Sequence, residues 1–313
     1  MKRVALLFPG QGSQTVGMGK ALYDTYPAVQ ELFREADQLL GKELTELMFE
    51  GPNDELTETE SAQPALLLSG IAVHRMLVDN NIQPVMAAGH SLGEYSALVA
   101  ARALSFAEAM PLVATRGKLM EEAFPKGQGS MAAVLGMSQE AIEETLEQMN
   151  SDEVVDLANL NCPGQIVISG SKEGIEAATP LLKENGAKRV LPLNVSGPFH
   201  SRLMKPANVQ FAGELDRVTF NNANIPVYAN VTAEPVTDKG AVKDLLIRQL
   251  YSPVQFEQSV RHMLEEGVDA FVEAGTGKVL SGLVRKIDRK AKTFAVQDPD
   301  SLNEFLSWYK EGS

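Results

Sequence analysis

The chain has one cysteine in 313 residues, Cys162. A lone thiol excludes an internal disulfide framework and fits a reducing compartment, so the cytoplasm is the expected location. Cys162 itself reads as a small buried apolar residue. Positive charge is also scarce: 28 lysines and arginines stand against 41 acidic residues, a formal net charge of -13. That balance argues against nucleic acid as a partner, because phosphate recognition needs a basic face. Long apolar runs are missing as well. The opening MKRVALLFPG breaks at Pro9-Gly10, too short for a secretory core. No later stretch approaches the ~20 apolar residues that span a bilayer, so no membrane association is expected. Tandem repeats and low-complexity tracts are absent, and the length exceeds one comfortable hydrophobic core. A large domain plus a smaller one is the expectation.

What is present is an alternation of strand-like and helix-like segments. RVALLF reads as a buried strand running into the glycine-rich FPGQGSQTVGMG, with amphipathic helices around residues 27–40 and 64–78. PVMAAG reads as a second strand, and EYSALVAARAL and AEAMPLVATRGKLMEEAF as helices. Such alternation implies an α/β fold with a largely parallel sheet. Between residues 127 and 194 the order changes to strand, helix, two strands, helix, strand, the βαββαβ pattern of a ferredoxin-like unit. The expected architecture is therefore an α/β core of residues 1–126 and 195–313 with a ferredoxin-like subdomain, 127–194, inserted in it. After residue 195 the pattern predicts a helix around Gln210 to Val218, a strand at PVYANV, a helix near Ala241 to Leu250, a strand at DAFVEAG and a final basic helix.

Gly89-His90-Ser91-Leu92-Gly93 follows a predicted strand and opens a predicted helix. G-x-S-x-G alone is a weak signal, but this setting is that of a nucleophile elbow, in which a tight turn lifts the hydroxyl clear of the sheet. A capping serine in an ordinary turn is the plainer alternative. Serine needs a base to take its proton, usually histidine, and only four histidines exist. His74 and His262 fall inside helix-like segments, and His90 adjoins Ser91 in a turn where neighbours point apart. His200, in the loop NVSGPFHSRLM where the inserted unit returns to the core, is left as the base. No carboxylate stands near it, which favours a Ser/His dyad with the imidazole held by a carbonyl or an amide. The N–H of Leu92 is the expected first oxyanion donor and the N–H of Gln11, in GQGSQ, the second. That loop lacks the third glycine of a dinucleotide fingerprint and the lysine of a phosphate loop.

Arg116 lies in the middle of an apolar stripe, three or four positions from Leu112, Val113, Leu119 and Met120. An inward guanidinium needs a partner, because an uncompensated buried charge costs several kcal/mol. Either a fixed internal carboxylate pairs it, or a substrate carboxylate does. The elbow is equally at home in a serine esterase or thioesterase, and those residues alone leave that alternative open. Near the end, Arg285, Lys286, Arg289 and Lys290 form a basic cluster with Lys292 beyond; if helical, the pairs spaced by four share a face.

With these residues in view, the sequence closely resembles the malonyl-CoA:acyl-carrier-protein transacylases of bacterial fatty-acid synthesis. The resemblance runs nearly end to end, through FPGQGSQ at 8–14, QPAL at 63–66, GHSLGEYSAL around Ser91, the Arg116 helix, NCPGQIVISG at 161–170, GPFHSRLM at 197–204 and QLYSPVQF at 249–256. It implies an α/β-hydrolase-like core, a ferredoxin-like subdomain and an active site between them. It further implies that Ser91 is the acylated nucleophile, His200 its base, Gln11 and Leu92 the oxyanion donors, Arg116 the holder of the malonyl carboxylate, and Gln249 the residue that orients His200. Phe199 resembles a bulky residue that crowds out α-branched acyl groups, and Asn159 and Asn161 resemble cleft-lining positions. The implied partners are malonyl-CoA and acyl carrier protein, with no cofactor and no metal. Arg285 to Lys292, or Lys188 and Arg189, are the candidate landing patch for the carrier protein. The sequence departs from the pattern at Gly275-Thr276-Gly277, where relatives commonly carry proline between the glycines.

Overall fold

The computed structural model describes residues 2–149 and 152–311. In chain order its strands are β1 Val4–Phe8, β2 Met86–Gly89, β3 Gly129–Leu135, β4 Val155–Cys162, β5 Gln165–Ser171, β6 Arg189–Pro192, β7 Val227–Tyr228, β8 Pro235–Val236, β9 Ala270–Ala274 and β10 Thr293–Val296. They form a six-stranded sheet in the order β10-β9-β1-β2-β7-β8 and a four-stranded sheet in the order β4-β5-β3-β6. In the larger sheet only β8 runs antiparallel to its neighbour. Apart from Glu273 in β9, whose carboxylate accepts from the Leu280 and Ser281 N–H groups, its central strands are apolar, and all five residues of β1 and of β9 are buried, as expected of a parallel sheet covered on both faces. The fold is α/β, with a mostly parallel, hydrolase-like core and a separate antiparallel, ferredoxin-like sheet.

The register of the larger sheet places the functional loops. Phe8 pairs with Gly89, so β1 and β2 end side by side; the chain then turns into the Gln11 loop from one strand and into the Ser91 turn from the other. Open α/β sheets present their ligand crevices at these carboxyl ends. The helix Phe106–Glu122 packs closely on the helix Thr59–Asp79: a Cβ at Gly117 would sit 2.6 Å from the Thr59 carbonyl oxygen, so only glycine allows the approach. The four-stranded sheet is tied to the core through β4, whose Ala158 and Leu160 exchange backbone hydrogen bonds at 2.8 and 2.9 Å with Val254, in the segment between the helices Lys239–Gln249 and Phe256–Glu265.

Two expectations change near the C-terminus. The basic segment is helical only over Val279–Ile287, so Arg285 and Lys286 occupy its last turn while Arg289 and Lys290 lie beyond it and share no helix face with them. Asp288 ends the helix in an extended conformation. Nor is that helix the final element, because β10 and the helix Pro299–Lys310 follow. The terminal helix buries Leu302, Phe305, Leu306 and Tyr309, a helical spacing, and Asp298 opens it with a capping box that includes Ser301.

Candidate active site

Ser91 has φ 52°, the left-handed conformation that a sharp strand-to-helix turn requires. The flanking glycines are demanded by backbone contact: a Cβ on Gly89 would lie 1.8 Å from the Gly93 carbonyl carbon, and one on Gly93 would lie 2.0 Å from the Phe8 carbonyl oxygen. The side chain of Asn230, just after β7, fastens this turn from below. Its Oδ1 accepts from the Ser91 N–H at 2.7 Å and its Nδ2 donates to the Gly89 carbonyl at 2.6 Å. The helix Gly93–Ala100 starts directly behind the serine, which places its positive end near any charge that develops there.

His200 comes from the far side of the cleft, also in a left-handed backbone conformation, φ 60°. Its Nε2 is 2.8 Å from Ser91 Oγ, and its Nδ1 is 2.8 Å from the backbone carbonyl of Gln249. A carbonyl can only accept, so Nδ1 carries the proton and Nε2 is left with its lone pair toward the hydroxyl. The ring is 3% exposed. Burial, and next the nearby charge of Arg116, hold its pKa down at about 3, so the resting imidazole is neutral. The loop is tied to β4 through Arg202, whose N–H and guanidinium both reach the carboxylate of Asp156.

Arg116 is completely buried. Its Nη1 donates to Gln63 Oε1 at 2.7 Å, and its Nη2 donates to Gln249 Oε1 at 2.9 Å and to Ser91 Oγ at 3.2 Å. Its Nε is without a partner, and the guanidinium lies over the Tyr95 ring at 5.2 Å. Among the described residues no carboxylate forms an ion pair with it. The internal partner that sequence reasoning left open is thus a set of neutral amides. The nearest buried acid, Glu94, is spent on Gln249 Nε2 and the Asn230 N–H, and burial pushes its pKa up to about 7.

These groups open into a cavity of about 330 Å³ lined by Gln11, Ser91, Leu92, Arg116, Asn159, Phe199 and His200 among others. Neither the Gln11 nor the Leu92 N–H has an acceptor within the described residues. Phe199 is 5% exposed and packs over Gly197. Asn161 is not free in the cleft: its Oδ1 is bonded to His90 Nε2 at 2.8 Å, which turns that histidine away from the serine and toward β4. His74 and His262 lie elsewhere, in the helices Thr59–Asp79 and Phe256–Glu265. Thr276, where the family pattern has proline, is bonded to Ser69 at 3.1 Å. A second recess of about 760 Å³ meets the first at His200 and is lined by Arg202, Lys205, Tyr251 and Gln255. No group of histidine, cysteine and acidic side chains suited to a metal occurs among the described residues, and no helix there is long and apolar enough to cross a membrane.

Sequence reasoning from residue types missed Gln63, Glu94 and Asn230. Glu94 had a signal, an acidic residue in the otherwise apolar GEYSALVA; Gln63 and Asn230 had none beyond their motifs.

Residues 5–296 match the model of the acyl transferase domain family. The malonyl CoA-acyl carrier protein transacylase of Bacillus subtilis is 53% identical over 312 residues, covering 99% of this chain and 98% of its own length. The crystal structure of an acyl carrier protein S-malonyltransferase from Vibrio cholerae superposes with a TM-score of 0.95 at 45% identity, covering 97% of this chain and 99% of that one. A type II PKS acyl-carrier protein in complex with its malonyl-transacylase gives the same TM-score at 42% identity, again over 97% and 99% of the two chains. A nucleophile elbow on an α/β core, with matches of this extent, places the chain in one family: it belongs to the acyl transferases, among the malonyl CoA-acyl carrier protein transacylases.

Proposed function

We propose that the chain moves a malonyl group from malonyl-CoA to the phosphopantetheine thiol of acyl carrier protein through a malonyl ester of Ser91, a reaction of fatty-acid synthesis. One observation carries the assignment of roles. Ser91 Oγ lies 2.8 Å from the unprotonated nitrogen of a neutral imidazole and 3.2 Å from a buried guanidinium that has no carboxylate partner.

In the first half-reaction His200 Nε2 takes the Ser91 proton as Oγ bonds to the thioester carbon. The carbonyl oxygen, now an oxyanion, is received by the N–H groups of Gln11 and Leu92; one such donor is worth on the order of 3–4 kcal/mol in comparable sites. The C–S bond breaks as His200 returns the proton to the CoA sulfur. In the second half-reaction the carrier thiol gives its proton to His200, its sulfur bonds to the ester carbon, and Ser91 leaves and regains a proton. Arg116 holds the malonyl carboxylate throughout, since a guanidinium is suited to two parallel bonds with a carboxylate. Phe199 walls the acyl pocket against α-branched groups, Asn159 lines it, and Asn161 steadies His90 beside the elbow. The Gln249 carbonyl stands in for the acid of a triad. Neither cofactor nor metal enters any step, and the single cysteine supports a reducing cytoplasm as the compartment.

The carrier protein, acidic as a class, meets an enzyme of net charge -13. Screening acts over about 8 Å at physiological salt, so local charge decides where it docks. The two candidate basic patches adjoin one another. Arg189 pairs with Leu135, Leu135 with Gln165, and Gln165 Oε1 accepts from Lys286 Nζ at 2.9 Å. Lys188, Arg189, Arg285 and Lys286 are all exposed, so this end of the four-stranded sheet is the landing surface in our reading.

The test is steady-state kinetics with malonyl-CoA and a phosphopantetheine thiol acceptor. Parallel double-reciprocal lines and dependence on Ser91 are expected. Turnover of malonyl-CoA to malonate in water at the same rate, with or without the thiol, would assign hydrolysis instead.

A further inference from the structure

Gln249 touches each of the three groups proposed to do the chemistry. Its backbone carbonyl accepts from His200 Nδ1 at 2.8 Å, its side-chain Oε1 accepts from Arg116 Nη2 at 2.9 Å, and its Nε2 donates to the Ser91 carbonyl at 3.1 Å. A carboxamide can sit in such a site in two orientations. Turned over, it would aim an NH₂ group at a guanidinium, two donors facing each other in a buried place, and a buried donor left without an acceptor is costly.

What selects the orientation is Glu94. Its Oε2 accepts from Gln249 Nε2 at 2.7 Å and from the Asn230 N–H at 3.0 Å. Glu94 is 3% exposed, lies three residues after the nucleophile in the first turn of the helix Gly93–Ala100, and forms no ion pair among the described residues. The other acceptors near that amide are both more distant: the Ser91 carbonyl at 3.1 Å, and Asn230 Oδ1 at 3.3 Å, which already takes the Ser91 N–H at 2.7 Å.

We propose that Glu94 is a positioning residue for acyl selection: it locks the Gln249 side chain with its oxygen toward Arg116, and so holds the guanidinium where an acyl carboxylate meets it. This rests on the reading of Arg116 as the carboxylate clamp. The lock acts on Arg116 rather than on His200, because the imidazole is held by the backbone carbonyl at the end of the helix Lys239–Gln249, which does not turn when the side chain does. Glu94 holds the clamp at one remove and leaves the guanidinium without a carboxylate partner of its own, which a direct ion pair would not.

The test compares acylation of Ser91 by malonyl-CoA and by acetyl-CoA, which lacks the carboxylate, in the full-length protein. Glu94→Ala removes the acceptor, and Glu94→Asp draws it back out of reach of Gln249, so that a folded loss variant exists even where alanine is not tolerated. In both, the malonyl-to-acetyl ratio of kcat/KM falls about tenfold or more, with acetyl loading changed only a few-fold. Glu94→Gln offers an amide oxygen at the same place and recovers most of the ratio. Equal losses for the two substrates, an unchanged ratio, or a Glu94→Gln variant as poor as alanine would each overturn the proposal. Arg116→Ala, run alongside, separates the two ideas: a ratio that does not respond to Arg116 refutes the clamp itself, whereas a ratio that responds to Arg116 but not to Glu94 refutes only the positioning role.

Discussion

Two arginines, one lining each of the recesses that meet at His200, are held in opposite ways. Arg116 is completely buried and bonded to two glutamine side chains and a serine hydroxyl, whereas the Arg202 side chain is 62% exposed and forked onto the Asp156 carboxylate. Burial normally calls for a charged partner and exposure does not. Here the inner cation lacks one and the outer cation has one. The fold spends its carboxylate where water would already solvate the charge and leaves the dry site to neutral amides, which supports the proposed role of Arg116 as the holder of a substrate carboxylate. The outer pair is a fastening between β4 and the His200 loop.

If that contrast is right, changes in the dry half of the cleft alter chemistry and changes in the wet half alter little. The largest effect belongs to the nucleophile and its base: Ser91→Ala and His200→Ala lower malonyl transfer by about three to four orders of magnitude, measured with the thiol acceptor. Next is a stability effect. His200 titrates near 3 in the folded protein and near 6.5 when unfolded, so between those values the unfolded chain binds a proton that the folded one refuses, and stability drops as the pH falls. Against a His200→Leu variant, the wild type loses on the order of a few kcal/mol between pH 6.5 and pH 4, read by denaturant melts, with no further change above pH 7. Arg116→Ala follows, lowering malonyl loading about a hundredfold while acetyl loading stays within several-fold of wild type. On the wet side, Arg189→Glu with Lys286→Glu raises the KM for carrier protein about three- to tenfold and leaves malonyl-CoA loading intact; an unchanged KM removes the docking surface. Smallest is Arg202→Ala, at most about 1 kcal/mol in a thermal or denaturant melt, because exposed pairs are worth little.

Much of this was legible from residue types. The inward arginine was visible because its helix carries apolar residues at the same spacing, and His200, which lies beside Ser91, could be singled out because four histidines left few choices. The turn around Ser91 could be read from its glycines, whose necessity is backbone contact across β1 and β2. Other features were hidden for physical reasons. The partner of His200 Nδ1 is a main-chain carbonyl, a role that any residue could fill and that no side chain announces, so Gln249 was reached only through the family resemblance. Glu94 acts through another residue's amide, a relation that exists only once β7 and the helix Lys239–Gln249 are brought against the elbow. The terminal helix is absent from the sequence reading, which ends on the basic cluster before it, although Leu302, Phe305, Leu306 and Tyr309 spell its buried face.

The most direct test is intact mass after brief exposure to malonyl-CoA, followed by peptide mapping. One malonyl group on the peptide that contains Ser91, discharged on adding a phosphopantetheine thiol and absent from Ser91→Ala, is the predicted result. An unmodified enzyme that still transfers malonyl, or an adduct mapped to any other side chain, would contradict the account.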